Sequence, residues 1–129
     1  MAHYQNFEEL EIYKLARAQC MKVWKLINET DLSKDYKLKD QINGSSGSVM
    51  DNIAEGFGRG GNKEFIQFLS FARGSNHETI AQLQRALDRN YISLDEYNKL
   101  LDKSELLNEQ ISKFMNYLKS SDRKGSKYD

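Results

Sequence analysis

Proline is absent from this 129-residue chain, cysteine occurs once and histidine twice. Against an average proline content near 5%, its absence removes the strongest helix breaker from every segment. The lone Cys20 excludes an intramolecular disulfide, and its place in an apolar helical pattern suits a buried, reduced thiol. With only His3 and His77, the chain lacks the two Glu-x-x-His motifs that a di-iron bundle needs, since Gly74 stands three residues before His77. Charge of either sign is missing in excess, 19 Lys plus Arg against 19 Asp plus Glu. No global field therefore draws the chain to nucleic acid or an anionic membrane, and any such binding must come from a local patch. No apolar run reaches membrane length, and Met1 to Asn6 lacks the basic and apolar regions of a secretion signal. The expectation is a soluble, cytoplasmic, single-domain protein with no metal, cofactor or small-molecule substrate.

What the chain does contain is helical periodicity. A first helix is expected over about 7–28, with Asn6 as cap, Glu9 at the capping-box position, and Leu10, Tyr13, Ala16, Cys20, Val23, Trp24 and Ile27 as its apolar stripe. A second, about 35–57, carries Leu38, Ile42, Ser45, Val49, Ile53 and Gly56, with Gly44 and Gly47 each lowering its propensity by about 1 kcal/mol relative to Ala. Gly58 to Asn62 reads as a tight turn with Asn62 as the next cap, followed by a third helix over about 63–89. Its apolar side is marked by Phe65, Phe68, Leu69, Ala72, Thr79, Ile80, Leu83 and Leu87. Ser93 and Glu96 form a capping box, flanked by Ile92 and Tyr97 at staple positions, and open a fourth helix over about 94–118. Its core side is Tyr97, Leu100, Leu101, Ser104, Leu107, Ile111, Phe114 and Leu118. Residues 119–129 read as a polar, disordered tail. Short connections imply an all-α, antiparallel, up-down-up-down four-helix bundle over residues 1–118.

Catalytic patterns are not evident: there is no Walker loop, nucleophile elbow or zinc spacing. Glu55 and Glu78 suggest a carboxylate pair, but folding back about residue 60 sets them about 20 Å apart at 1.5 Å per residue. A glycosidase pair stands within about 10 Å. The Gly58 to Gly61 cluster follows a helix rather than a strand, which favours a turn over a phosphate cradle. The same fold-back sets Gly44 and Gly47 near the levels of Asn76 and Arg73, and Ser45 level with Ser75. Two readings follow: close helix packing around Gly44, Gly47 and Gly74, or a notch for a neighbouring subunit.

For nucleic acid, the candidate contacts are Arg59, Lys63 and Arg73, with Arg85, Arg89 and the tail's Lys119, Arg123, Lys124 and Lys127 as secondary elements. Asp51, Glu55, Glu64 and Glu78 dilute that patch. Asn52 and Glu55, polar groups near a core stripe, are expected to find hydrogen-bonding partners within the bundle or across a subunit boundary.

The segments Asn52-Ile53-Ala54-Glu55-Gly56, Gly58-Arg59, Lys63-Glu64-Phe65, Phe68-Leu69, Ala72-Arg73-Gly74-Ser75 and Glu78 together resemble the four-helix-bundle family encoded by intervening sequences in bacterial 23S ribosomal RNA genes. Its members are also labelled S23 ribosomal proteins. The resemblance runs from about Phe7 to Leu118 and includes Leu10-Glu11, Leu38 and Gln41-Ile42. It implies a homopentamer without catalytic activity, associated with RNA, in which the motif residues serve structure or assembly. Two departures stand out: Asn43-Gly44-Ser45-Ser46-Gly47 replaces residues that are commonly basic in the family, and Met50-Asp51 replaces its usual proline. The competing expectation is an oligomeric protein-binding scaffold with no nucleic-acid role.

Overall fold

The computed structural model describes residues 4–123. Four helices follow in order: α1 over Glu11–Glu29, α2 over Tyr36–Gly58, α3 over Asn62–Asp88 and α4 over Leu94–Arg123. Side-chain pairings give their directions. Asp35 meets Arg89 and Ser48 meets Ser75, so α2 and α3 are antiparallel. Asn62 meets Leu118 and Gln84 meets Tyr97, so α3 and α4 are antiparallel too.

The first helix begins later than its sequence pattern suggests. Phe7–Glu9 form a 3-10 turn, the Glu9 carboxylate accepts from the Gln5 and Asn6 amides, and Leu10 adopts extended backbone before α1 starts. Stepping back from buried Ile12 by three or four residues, a continuous helix would aim Glu8 and Glu9 inward. The break buries Leu10 instead. Trp24, expected in the core, is 53% exposed, because the inward stripe is Ile12, Ala16, Gln19, Val23 and Ile27.

The Ser93 and Glu96 capping box forms with both reciprocal bonds, and Ile92 and Tyr97 are buried beside it. At the α2–α3 turn, Gly60 has φ +84° and Gly61, not Asn62, is the cap. Asn62 is already helical and buried, and its amide donates to the Leu118 carbonyl at 3.0 Å. Helix α4 continues five residues past the expected boundary at Leu118, because Ser121 extends the buried stripe one turn further. Residues 119–123 are therefore helical, while 124–129 of the expected disordered tail lie outside the described residues.

The interior has three storeys. One apolar cluster near the α2–α3 turn joins Leu10, Ile53, Phe65, Leu69, Ile111 and Leu118, among others. A second, at the far end, joins Val23, Leu38, Ile42, Leu83, Ile92 and Tyr97. Between them lies a buried polar waist of Gln19, Ser45, Ser46, Asn76, Thr79, Gln82 and Ser104. Gln19 Nε2 donates to the Leu100 carbonyl and Ser104 Oγ at 3.0 and 2.7 Å, and Asn76 Nδ2 donates to the Ser104 carbonyl at 2.8 Å. Ser45 Oγ donates to Gln82 Oε1 at 2.6 Å and lies 2.8 Å from Thr79 Oγ1. These bonds replace those to water for most of the waist, although the Gln19 Oε1 is buried with no partner among the described residues.

Candidate functional site

The conspicuous motif occupies the end of α2 and the turn. Asn52 is half-buried, and its amide donates to the Ser48 carbonyl and hydroxyl at 2.8 and 3.0 Å. Glu55 is exposed and pairs with Arg59 at 3.3 Å. Both therefore have partners inside this chain. Ile53 is fully buried, Ala54 is half-buried, and Gly56 is the close-packed glycine of α2. A Cβ at Gly56 would lie 2.8 Å from Phe68 Cβ and 2.9 Å from Phe65 Cδ1. Phe65 is fully buried and meets Phe57 and Phe114 edge-on at 6.1 and 5.5 Å.

Close packing around Gly44, Gly47 and Gly74 is not what the fold contains: a Cβ at any of them would meet nothing within 4 Å. Gly44 and Gly74 are exposed, and both lie, with Gly47, off the buried stripes of their helices. Register differs too: Ser48 pairs with Ser75 and Ser45 with Thr79, so the hairpin folds about residue 62 rather than 60, and facing positions shift by about one turn. Glu55 then lies level with about Leu69, and Glu78 is about 14 Å further along at 1.5 Å per residue. Separation still exceeds what a carboxylate pair spans. Gly58, Gly74 and Glu78 are exposed, and Ser75 is half-buried on Ser48.

The three cations proposed for nucleic acid do not converge on one face. Arg59 lies over the Phe68 ring, 5.0 Å from its centroid, besides pairing with Glu55. Lys63 is exposed at the start of α3. Arg73 is half-buried and donates to Ser112 of α4 at 3.0 Å. His77 Nδ1 sits 3.0 Å from the Arg73 carbonyl and 3.2 Å from the Asn108 amide, a structural rather than a ligating position. Among the described residues no cluster of His, Cys, Asp and Glu could hold a metal ion, and no helix is long and apolar enough to cross a membrane.

Sequence reasoning missed the face of α1. From Ile12 to Asn28 the chain has no acidic residue, yet carries Lys14, Arg17, Lys22 and Lys25. Met21 and Trp24, 65% and 53% exposed, project among them. Beside them a groove of about 400 Å³ runs between α1 and α2, lined by Arg17, Cys20, Met21, Trp24, Asn43 and Met50. Cys20 is thus half-buried at a groove, with its sulfur 3.9 Å from Ser46 Oγ. The acid-free run was visible in the sequence, but placing Trp24 outside required knowing that Gln19 faces in.

A family model described as 23S rRNA-intervening sequence protein matches residues 8–113. The chain belongs to that family. The match spans all four helices up to Lys113 and includes every motif segment at the turn. A solved structure from Bacteroides thetaiotaomicron, described as a protein with unknown function from the S23 ribosomal protein family, has the same fold. It superposes with a TM-score of 0.73 at 21% identity, covering 81% of this chain and 97% of that one. No curated protein matches the chain. Within the 23S rRNA-intervening sequence protein family, the motif residues of this chain divide by environment. Ile53, Gly56 and Phe65 build the core, whereas Glu55, Gly58, Arg59, Gly74 and Glu78 lie at the surface.

Proposed function

We propose that this chain is a non-catalytic, cytoplasmic subunit of a homo-oligomer, a homopentamer by its family resemblance, which associates with RNA through its assembled surface. The carrying observation is that Trp24 and Met21 stay exposed beside an apolar groove although the bundle's own core is closed. Apolar patches of this kind mark interaction sites. RNA as the second partner rests on the family resemblance alone. Repetition around a ring would multiply the modest contributions of Arg59, Lys63 and Arg73.

A second reading, an oligomeric scaffold that binds another protein, is favoured by the engagement of Arg59 and Arg73 with groups of their own chain. Light scattering should give a mass of several subunits, and a single-subunit mass would sink the assembly. Binding of structured RNA should weaken steeply with salt and fall further on Arg59→Ala with Arg73→Ala. Salt-insensitive or absent binding by the intact oligomer would favour the scaffold.

A further inference from the structure

The surface carries two unlike faces. On α1, Lys14, Arg17, Met21, Trp24 and Lys25 stand in an acid-free run beside the α1–α2 groove. Lys14, Arg17 and Lys25 form no ion pair among the described residues. On α3, the exposed positions Glu64, Phe71, Gly74 and Glu78 fall on one stripe, because steps of three, four and seven residues return to the same side of a helix. Phe71 is 48% exposed, with one acid seven residues before it and another seven after. One face is thus cationic around a groove; the other sets two acids about a single ring, with Arg85 two turns beyond Glu78 on the same side but turned onto Gln41 of α2.

We propose that the α1–α2 groove of one copy receives the α3 stripe of a second copy, with Phe71 seated beside Met21 and Trp24. This inference rests on the self-assembly reading and specifies which faces meet. An aromatic ring against tryptophan and methionine side chains is a favourable filling for such a groove. Glu64 and Glu78, about 21 Å apart along α3, flank that ring as Lys14 and Lys25, about 16 Å apart along α1, flank the groove. Gly74 lets the two backbones come close on one side, and Gly47, with open space around its Cβ position, does so near the groove's edge.

Charge also selects the symmetry. A two-fold contact of the α1 face with itself would set Lys14, Arg17 and Lys25 against their own copies, which like-charge repulsion opposes. Contact between unlike faces can repeat head to tail, and such contacts close into rings when the rotation permits. Charge thus disfavours the α1 face meeting itself.

The test is a mixing experiment on two surface variants, Trp24→Glu and Phe71→Lys, followed by light scattering, with helicity and the thermal transition checked for each. Trp24→Glu places an acid against the acidic stripe, and Phe71→Lys places a cation against the basic groove. Each variant alone should fall to the mass of one subunit. An equimolar mixture should recover a mass of at least two subunits, because the intact groove of one variant meets the intact stripe of the other. If either folded variant keeps the wild-type mass, or if the mixture stays at one subunit, the interface is overturned while self-assembly stands. A wild-type chain at single-subunit mass overturns both. Should Trp24→Glu keep its assembly but lose salt-dependent retention of structured RNA, the groove belongs to nucleic acid, where a base stacks on Trp24, and the proposal falls. If a variant unfolds, the charge swap replaces it: Arg17→Glu and Glu78→Arg should each lower the mass, and the double variant should restore it.

Discussion

The two ends of the bundle close by different means. Near the α2–α3 turn, Phe65 meets Phe57 and Phe114, Phe114 stacks on Tyr117 at 5.6 Å, and Tyr4 reaches Phe114 at 6.3 Å. At the opposite end a mainly aliphatic cluster, with Tyr97 in it, lies beneath one carboxylate. Asp35 caps α2 by accepting from the Leu38 amide at 3.2 Å, and accepts from Arg89 and Tyr91 at 2.8 and 2.9 Å. The first end is closed by the shape of its rings. The second ties the start of α2 to the α3–α4 connection through a carboxylate whose pKa is held below its ordinary value, so acid should loosen that tie.

The largest effect that would sharpen this contrast is Phe65→Ala. Removing a fully buried ring should cost about 3–5 kcal/mol in urea unfolding, equally at pH 5 and pH 8. A loss below about 1 kcal/mol would mean that the rings do not close this end. Next comes the waist between the ends: Asn76→Ala should cost about 0.5–1.5 kcal/mol by removing its buried bond to the Ser104 carbonyl.

Smaller again are the effects at two glycines of α2. With open space for a methyl group, Gly44→Ala and Gly47→Ala should each stabilise the bundle by about 0.5–1 kcal/mol in thermal unfolding. Gly56→Ala, which drives a Cβ into Phe68 and Phe65, should destabilise it. Equal signs at all three positions would break the assignment of the buried face of α2.

The smallest effect at neutral pH belongs to Asp35→Asn, which keeps a capping side chain and loses only the charge. The Leu38 amide and the Tyr91 hydroxyl, then Arg89, hold the Asp35 carboxyl below its ordinary value of 3.8 despite some desolvation. Its contribution is therefore present above that value and is lost as pH falls through the folded one. Tyr91, beside that carboxylate, is pushed above its ordinary value of 10.0, so its contribution is present below pH 10 and is lost as pH rises through the folded value. Wild type should exceed Asp35→Asn modestly at pH 7, and the gap should close below pH 4. A gap that persists in acid would show that the charge is not what ties this end.

Much of the architecture was legible because its signals are local. The reciprocal bonds of Ser93 and Glu96 need only four residues, and the periodic stripes of α3 and α4 need only one helix. What was not legible depends on two elements at once. Gln19 is polar, and nothing within α1 announces that Ser104 and the Leu100 carbonyl wait for it. Once Gln19 faces inward, Trp24 must face out, so one unreadable residue misplaced the most informative one. The candidate cations were readable as residue types, but whether Arg73 reaches solvent or Ser112 is decided by α4. The error at Gly44, Gly47 and Gly74 was one of helix face: none of them lies on the buried stripe of its helix, and which side is buried is decided by the neighbouring helices.

The polar waist has a consequence for the time the chain spends folding. An apolar core of uniform composition would accept α3 slipped by one turn along α2, since leucine would still meet isoleucine. Here such a slip would carry Ser45, Thr79 and Gln82 away from one another and into hydrocarbon. Each stranded group would cost about 1–3 kcal/mol. A mispaired hairpin is then too unstable to linger, and partners that miss their alignment separate and try again.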